Sequence, residues 1–398
     1  MARLVAVLTG ARSDYGVLSS VLRAIDAHPQ LRLQLVVTGA HLSERHGMTI
    51  REIASDGWEI AARVPIIESD TCNGDPGVAR AMGRAVAGIA DALDTLSPDV
   101  ALFLGDRYET FAGGLAAATL RLPIGHIGGG ECDHATCLDG YLRNALTQLA
   151  HVHFVACDAY ADRLAALGQD PWRIHVVGLP SLDGLTDGLM TRGELAASLG
   201  IDLQRPVIVG TYLPVTLRPD ESRTELQAML NALRTQAAAT IILTLSNTDA
   251  GAAWADEEVR GFAGTHPNAH VFVSLGHQRY RSLLSVADLV IGNSSSGLIE
   301  TPSFGVPTIN IGARQEGRIR AQNVFDVPGQ VRPIVEVLNR AQHDANLRAR
   351  AAGAMNPFGD GHAGERIAAI LSELTIDRRL MEKRVSPVRR RAQVIPVG

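Results

Sequence analysis

The chain alternates short apolar runs with longer segments of helical period, and this alternation occurs twice along its 398 residues. The short runs are rich in Val, Ile and Leu, which is typical of parallel strands buried on both faces of a sheet. They predict strands at 4–8, 33–37, 100–104, 124–127, 152–155, 174–177, 207–212, 241–245, 271–274, 289–291 and 308–311. The helical pattern at 78–93 predicts a helix that covers one sheet face. We therefore expect an α/β protein with two doubly wound parallel units.

The division between the two units is expected near residue 185. Pro180 and several glycines lie in the stretch 179–205, around a short predicted helix at 193–199, and this composition is typical of a linker. The expected domains are a first unit over 1–185, a second over 186–370 and a basic tail over 371–398. Ligands of open parallel sheets bind at the carboxyl ends of the strands, so functional loops should follow strands and open onto a cleft between the units.

The tail concentrates positive charge. Its basic residues are Arg378, Arg379, Lys383, Arg384, Arg389, Arg390 and Arg391. Such a run is either a solvated tail or a contact for an anion or a partner.

Charge and cysteine content exclude several classes of protein. The 37 Lys and Arg residues face 42 Asp and Glu residues, and the net charge of −5 provides no basic field for nucleic acid. Four cysteines, Cys72, Cys132, Cys137 and Cys157, are too few and too irregularly spaced for a disulfide framework. The apolar run at 4–8 is too short for a signal peptide, and no stretch approaches the roughly 20 apolar residues of a membrane span. We expect a cytoplasmic protein that binds neither nucleic acid nor membrane.

Two turns rich in small residues follow predicted strands and suit an anionic ligand. The sequence TGARSDYG at 9–16 precedes a predicted helix, where backbone N–H groups and Arg12 can meet an anion. The sequence GNSSSG at 292–297 offers hydroxyl donors and close backbone approach to a diphosphate, and an acidic residue one turn later can accept from ribose hydroxyls. The alternative is a serine-rich turn that only caps a helix. The candidates in this second turn are Ser294, Ser295, Ser296, Gly297 and Glu300.

A third candidate for anion binding is the pair Arg314 and Arg318, which follows the strand at 308–311. Four residues apart, the two arginines are expected to share a helical face toward the same phosphates, or else to form a solvated basic turn. The chain has neither a GxxxxGK[ST] sequence nor a GxGxxG after its first strand, so P-loop ATP chemistry and a nicotinamide site both lose support.

Three carboxylates follow neighbouring predicted strands. Asp106 lies in GDRYE, Glu131 in HIGGGE, and Asp139 in the first turn of the next predicted helix. Carboxylates that share a site push their pKa values apart, as acid–base catalysis requires; otherwise they are unrelated surface charges. The accompanying candidates for substrate binding are Arg107, His126 and Arg143.

Metal binding has weaker support. His126, Cys132, His134 and Cys137 are all residue types that ligate zinc, but their spacing matches none of the usual zinc motifs. We therefore expect ordinary loop residues here.

Taken together, the motifs resemble the UDP-N-acetylglucosamine 2-epimerase family, and within it the hydrolysing branch that serves sialic-acid-type sugars. The resemblance covers residues 4–370, and eight motifs in register carry it. These are TGARSDYG (9–16), GDRYE (105–109), HIGGGE (126–131), LDGYLRNALTQLAHVHF (138–154), YLPVT (212–216), SNTDAG (246–251), GNSSSGLIE (292–300) and VPTINIGARQEGR (306–318).

The resemblance implies a GT-B-type fold of two Rossmann-like domains, a UDP-sugar substrate, no cofactor and a homodimer. It implies that residues 294–297 hold the diphosphate with Arg12, that Glu300 meets the ribose, and that Arg314 and Arg318 support this region. The family's reaction is an anti elimination of UDP across C1 and C2 to 2-acetamidoglucal, followed by hydration to N-acetylmannosamine. Asp106 and Asp139 match acidic positions of the family, and we expect Glu131 to join them as an acid–base group.

Three positions depart from the family's pattern. Gly128 stands where the branch has His or Glu, Leu213 where the family has His, and Gly140 where a second acidic residue is usual. Either Glu131 or His134 could replace the missing group at 128. The departures leave alternatives open: a nucleotide-sugar hydrolase or glycosyltransferase that does not epimerise C2, a non-catalytic nucleotide-sugar binding protein, and, less supported, a nucleotide-binding oxidoreductase.

Overall fold

A computed structural model describes residues 2–67, 75–131, 138–215, 218–245 and 253–383. The chain runs through a first compact unit up to Asp183, through a second from Gly184 to Pro357, and returns to the first at Phe358. The motif SNTDAG at 246–251 and the tail from Arg384 onward lie outside the described residues. No helix in the described part of the chain is long and apolar enough to cross a membrane.

The first unit contains a sheet of seven parallel strands in the order β3-β2-β1-β4-β5-β6-β7. The strands are β1 (Arg3–Thr9), β2 (Leu31–Thr38), β3 (Ile60–Val64), β4 (Val100–Leu104), β5 (Ile124–Ile127), β6 (Val152–Val155) and β7 (Ile174–Val176). The helices between them are α1 (Arg12–Ala27), α2 (Ile50–Ser55), α3 (Asp75–Leu96), α4 (Tyr108–Thr119), α5 (Leu138–Leu149) and α6 (Asp158–Ala166).

The second unit repeats this topology with six parallel strands in the order β10-β9-β8-β11-β12-β13. The strands are β8 (Val207–Thr211), β9 (Thr240–Thr244), β10 (Ala269–Phe272), β11 (Leu289–Gly292), β12 (Thr308–Ile311) and β13 (Val324–Val327). The helices are α7 (Arg192–Leu199), α8 (Pro219–Leu233), α9 (Ala253–Thr265), α10 (Gly276–Val286), α11 (Ser296–Ile299), α12 (Thr301–Phe304), α13 (Val331–His343) and α14 (Ala345–Ala352). The predicted α/β class with two doubly wound units is confirmed.

The predicted helix at 78–93 corresponds to α3, and its sequence explains its position. Small and apolar side chains recur every four residues, so they form one stripe on the helix. This stripe is buried in the core that covers one face of the first sheet. Burial of a Leu or Ile side chain contributes about 1.5–3 kcal/mol, so the stripe fixes α3 on this face. Its members are Ala81, Ala85, Ile89 and Leu93.

The sequence pattern does not predict β3 and β13, and both lie at the edge of a sheet. An edge strand has one neighbour and partly exposed faces, so it needs no continuous apolar run. In β3 exposed and partly buried residues alternate, and β13 carries the exposed Asp326. All the strands that the sequence predicts are present, with ends shifted by at most two residues.

The end of the chain differs from the expected second domain to residue 370 and separate tail. Helix α15 (Ala363–Glu373) packs on α1, and its Ile367, Ala368 and Leu371 join the core of the first unit. The Asp183 carboxylate accepts from the backbone N–H groups of the first two residues of α15, at 2.8 and 2.7 Å. The physical reason is the apolar stripe of α15, which is buried where this helix packs against α1 and β2.

The basic residues up to 383 are likewise part of the first unit. The buried Arg173 donates to the carbonyls of Arg379 and Leu380 in α16 (Arg378–Met381), both at 2.8 Å. Lys383 donates to the carbonyls of Thr147, Gln148 and Ala150 at 2.7–2.9 Å. The interpretation of this segment as a solvated tail is therefore wrong up to Lys383, because its backbone and lysine satisfy buried polar groups.

Candidate active site

Topology places the candidate loops of each unit at a switch point. Strand order reverses beside β1 in the first sheet and beside β8 in the second, and ligands of such sheets bind where the loops diverge. In the first unit this edge carries the loops after β1, β4 and β5. In the second unit it carries the loops after β8, β11 and β12.

An ion pair organises the carboxylates of the first unit. Arg143 lies on α5 with a side chain only 8% exposed. Its guanidinium donates to the Asp106 carboxylate after β4 and, at 3.1 Å, to the backbone carbonyl of Glu131 after β5. One side chain thus ties two strand-end loops to a helix through a charge-assisted bond.

Asp139 lies four residues before Arg143, so the two share a face of α5. Partial burial raises the pKa of Asp139, and the Asp106 carboxylate raises it further. The Asp106 carboxylate, paired with Arg143, therefore lies near a second carboxyl group whose pKa is raised. Environments that separate two carboxylates in this way suit an acid and a base of one reaction.

Glu131 borders the position where the sequence departs from the family at Gly128. Gly128 has φ of +87°, in the left-handed region that favours glycine. A Cβ built on Gly128 would lie 3.7 Å from Oε1 of Glu131, in ordinary contact. The Glu131 carboxylate therefore lies beside the space that a side chain at 128 would enter, whereas the other suggested replacement, His134, lies outside the described residues.

Two acidic residues of the same edge were not among the sequence candidates. Arg107 donates to Glu109 at 3.0 Å, and its Nε lies 3.7 Å from Oδ2 of Asp14. Glu109 is 1% exposed, and burial raises the pKa of Asp14 to about 6. Both residues lie inside the quoted motifs. An acidic residue at the start of a helix usually compensates the helix dipole, so the sequence alone does not indicate that it also belongs to a site. Arg107 is thus engaged with carboxylates of its own unit.

His126 does not face the ligand edge as the sequence suggested. The side chain is fully buried, Nε2 pairs with the carbonyl of Gly105 at 2.9 Å, and Nδ1 lies 3.3 Å from Oγ1 of Thr147. The reason is that β5 is a central strand with both faces covered. His126 therefore braces the backbone just before Asp106 against α5, and burial lowers its pKa to about 4.

The buried His126 is expected to make the first unit sensitive to acid. In the unfolded chain the His126 imidazole binds a proton near pH 6.5, whereas in the native protein it does so only near pH 4. The stability that depends on neutral His126 is therefore fully present above pH 6.5 and is lost as the pH falls below this value. We expect His126 to account for about 2 kcal/mol of lost stability between pH 7 and 5. In urea unfolding, His126→Gln should show a smaller pH dependence than the wild type. The control His362→Gln, at an exposed position, should keep the pH dependence of the wild type. Equal pH dependence in the wild type and both variants would contradict this account.

Arg12 is the first residue of α1 and does not join the carboxylate cluster. Its guanidinium pairs with Glu52 of α2 at 3.0 Å and its side chain is 74% exposed. An exposed ion pair of this kind contributes at most about 1 kcal/mol, so Arg12 exchanges partners at little cost.

In the second unit, the serine-rich turn joins β11 to α11. Ser295 precedes α11, and its backbone carbonyl accepts from the N–H groups of residues 298 and 299 at 2.9 and 3.0 Å, whereas its hydroxyl makes no capping hydrogen bond. Ser296 contacts the hydroxyl of Tyr280 at 2.8 Å and donates to the Glu300 carboxylate. Burial raises the pKa of Glu300. Ser295 therefore does not provide the side-chain cap that the alternative interpretation requires, and Ser294 lies partly exposed at the strand end.

Arg314 and Arg318 do not share a helical face. The segment after β12 forms consecutive turns without a helix, because Gly312 and Gly317 adopt φ of +71° and +80° there. Arg314 donates to the backbone carbonyl of Asn293 at 3.0 Å, which places it beside the serine-rich turn. The backbone carbonyl of Arg318, in the same series of turns, accepts from Nη1 of Arg320.

Within the described residues, no group of three His, Cys, Asp or Glu side chains is arranged to hold a metal ion. Of the suggested zinc ligands, Cys132, His134 and Cys137 lie outside these residues, as does Cys72. Cys157 is a buried free thiol, and burial raises its pKa.

Comparison with known proteins gives a consistent result. The family model described as UDP-N-acetylglucosamine 2-epimerase matches residues 23–372. The chain is 31% identical over 388 residues to a UDP-N,N'-diacetylbacillosamine 2-epimerase (hydrolyzing) of Legionella pneumophila, covering 96% of this chain and 99% of the relative. It is 32% identical over 327 residues to a GDP/UDP-N,N'-diacetylbacillosamine 2-epimerase (hydrolyzing) of Campylobacter jejuni, covering 81% and 84%.

Solved structures show the same fold. The UDP-GlcNAc 2-epimerase of Neisseria meningitidis, bound to UDP-GlcNAc, superposes with a TM-score of 0.79 at 17% identity, over 94% of this chain and all of that one. The family match spans most of the chain, and two relatives above 30% identity agree with it. The resemblance carried by the sequence motifs is thereby confirmed: the chain belongs to the UDP-N-acetylglucosamine 2-epimerase family.

Proposed function

We propose that this chain is a hydrolysing 2-epimerase of a UDP-activated 2-acetamido sugar, which it converts to UDP and the free sugar inverted at C2. The observation that carries the proposal is the pairing of Asp106 with Arg143 beside Asp139, at the switch point of the first sheet. Family membership supports an enzyme of this kind, and the two curated relatives are themselves hydrolysing 2-epimerases.

The C2 proton of such a sugar has no adjacent carbonyl to acidify it, so its removal must accompany departure of the leaving group. In the first step a carboxylate takes the C2 proton, the C–H electrons form the C1=C2 double bond, and the C1–O bond breaks to release UDP. In the second step water adds its oxygen to C1, and C2 receives a proton on the opposite face. Both steps pass through positive charge at C1, which a fixed carboxylate stabilises.

We assign the three carboxylates by their surroundings. Asp106, whose carboxylate is held in place by Arg143, is suited to stabilise the charge at C1. Asp139, whose pKa burial and Asp106 raise, is suited to exchange a proton. Glu131, beside the open position at Gly128, supplies the second proton-transfer group that the departure at 128 removes.

The nucleotide is assigned to the second unit. Ser294, Ser296 and the backbone N–H groups of the turn are proposed to hold the diphosphate, with Arg314 and Arg318 supplying positive charge. Arg12 of the first unit is exposed and weakly paired, so its guanidinium is available to an anionic group. Glu300 is proposed to accept from the ribose, which requires it to exchange its bond to Ser296. The family resemblance also implies a homodimer, which sedimentation equilibrium measures.

Glu131→Gln should lower kcat by about 100-fold or more, because the amide cannot accept a proton yet fills the same space. The matched control is Glu373→Gln at an exposed position of α15, which should leave kcat unchanged. Steady-state UDP release measures both variants. Unchanged turnover by Glu131→Gln would remove Glu131 from the mechanism.

A second outcome, cleavage without inversion at C2, is favoured by Gly128 and Leu213, which place no proton-transferring side chain at two positions where the family has one. The experiment that tests the proposal is incubation with UDP-N-acetylglucosamine and, separately, with UDP-N,N'-diacetylbacillosamine. We expect UDP and a free manno-configured sugar from at least one of them. UDP release from neither, by protein that binds UDP in calorimetry, would overturn the proposal.

A further inference from the structure

Asn293 is a fully buried side chain in the second unit, between the last residue of β11 and the serine-rich turn. Its Oδ1 accepts from the backbone N–H of Leu213 at 2.7 Å, and its Nδ2 donates to the carbonyl of the same residue at 2.9 Å. A side-chain amide used in this way replaces the backbone amide of a paired residue. Because β11 and β8 are already paired up to Gly292 and Thr211, Asn293 extends their ladder into the loop after β8.

The backbone of Asn293 holds the third loop of the same edge. Its carbonyl accepts from Nη1 of Arg314 at 3.0 Å and from Nε2 of Gln315 at 2.8 Å. Gln315 is itself 1% exposed, so this contact is shielded from water. The loops after β8, β11 and β12 therefore meet at one residue.

Gly292 makes this arrangement possible. It has φ of +133°, and a Cβ on it would lie 1.9 Å from the carbonyl oxygen of Thr211. Only a glycine allows the end of β11 to come so close to β8. The close approach brings the Asn293 amide level with the backbone of Leu213, the position where the family has a histidine.

We propose that Asn293 is a positioning residue for nucleotide binding, which acts through Leu213 and Arg314 without touching the ligand. The inference rests on the proposed function, since it takes the serine-rich turn as the diphosphate site. Asn293 fixes the loop after β8 through its side chain and orients the Arg314 guanidinium through its carbonyl. Both groups are therefore already ordered in the free protein, and ligand binding loses less conformational entropy. Loss of its side chain should free the loop after β8 and loosen the turn that begins at Ser294.

The first test is the affinity for UDP, measured by calorimetry. Asn293→Ala should weaken UDP binding by about tenfold, as expected for two lost hydrogen bonds that order the site. The matched control is Asn268→Ala. Asn268 also braces backbone through its amide, donating to the carbonyls of Gln236 and Ala239 at 3.0 and 2.8 Å, but at the opposite edge of the same sheet. It should lower thermal stability and leave UDP affinity within twofold.

A second variant separates positioning from folding. In Asn293→Asp the carboxyl has the shape of the amide, but only its protonated form can donate to the carbonyl of Leu213. The ratio of its UDP dissociation constant to that of the wild type should therefore fall as pH is lowered from 8 to 5.5. A loss of affinity caused only by altered packing of the side chain would not depend on pH.

The outcomes distinguish this inference from the proposed function. Wild-type protein that does not bind UDP would overturn the proposed diphosphate site and this inference with it. Wild-type protein that binds UDP, with Asn293→Ala binding it equally well, would overturn the role of Asn293 alone. A constant affinity ratio for Asn293→Asp across the pH range would also overturn it, including where the alanine variant fails to fold.

Discussion

Asp106→Asn is expected to lower kcat by about 10²–10⁴-fold and to leave the affinity for UDP within about twofold. The amide keeps the size of the side chain and can still meet Arg143, but it carries no charge to stabilise the sugar at C1 and no longer influences the pKa of Asp139. Stopped-flow detection of UDP release measures the first quantity, and calorimetry the second.

The matched control for this variant is Asp99→Asn. Asp99 lies just before β4, whereas Asp106 lies just after it, so the two residues flank one strand at opposite edges of the sheet. Asp99 accepts from the backbone N–H of Leu4 at 2.8 Å and is exposed. Its substitution should cost some stability and no turnover. A kcat for Asp106→Asn that matches the control would contradict the assignment of Asp106.

Arg143→Met is expected to lower both stability and turnover. It removes the partner of Asp106 and the donor to the Glu131 carbonyl, so a poorly solvated carboxylate is left unpaired and two loops are released from α5. We expect a loss of about 3 kcal/mol in the free energy of unfolding and a fall in kcat of about 100-fold or more. Urea unfolding and steady-state kinetics measure these effects.

The double variant Asp106→Asn with Arg143→Met tests the cause. A neutral amide needs no counter-charge, so the double variant should be more stable than Arg143→Met alone. Arg378→Met serves as the comparison, because Arg378 forms an exposed pair with Glu382 and its loss should change stability by less than about 1 kcal/mol. Additive losses in the double variant would mean that the two side chains are not coupled.

Much of the fold can be predicted from the sequence because central parallel strands are buried on both faces. Runs such as 100–104 and 289–291 are continuously apolar for that reason, and they correspond to β4 and β11. Edge strands are not subject to the same requirement, so β3 and β13 leave no comparable signal. Helix α15 returns to the first unit because it packs on α1, which lies nearly 350 residues earlier in the chain. A local sequence pattern does not predict a contact over this separation.

The candidate site is predictable in part. Asp106, Asp139 and Arg143 are indicated by their positions after strands, and the structure brings these three together. The burial of His126 and the turn at 314–318 were not predictable in the same way, because strand-end position indicates an edge of the sheet and not the direction of a side chain. The pairing of Asn293 with Leu213 joins residues 80 apart and depends on the glycine before it.

The central claim is that this chain inverts C2 of a UDP-2-acetamido sugar by elimination and hydration, although Gly128 and Leu213 depart from the family. The most direct measurement is proton NMR of the protein with UDP-N-acetylglucosamine in D2O, following UDP and the signal of the C2 proton. We predict free UDP together with a manno-configured sugar that carries deuterium at C2, because the proton returned in the second step comes from solvent. Free UDP with a gluco-configured sugar that retains its C2 proton would contradict the claim.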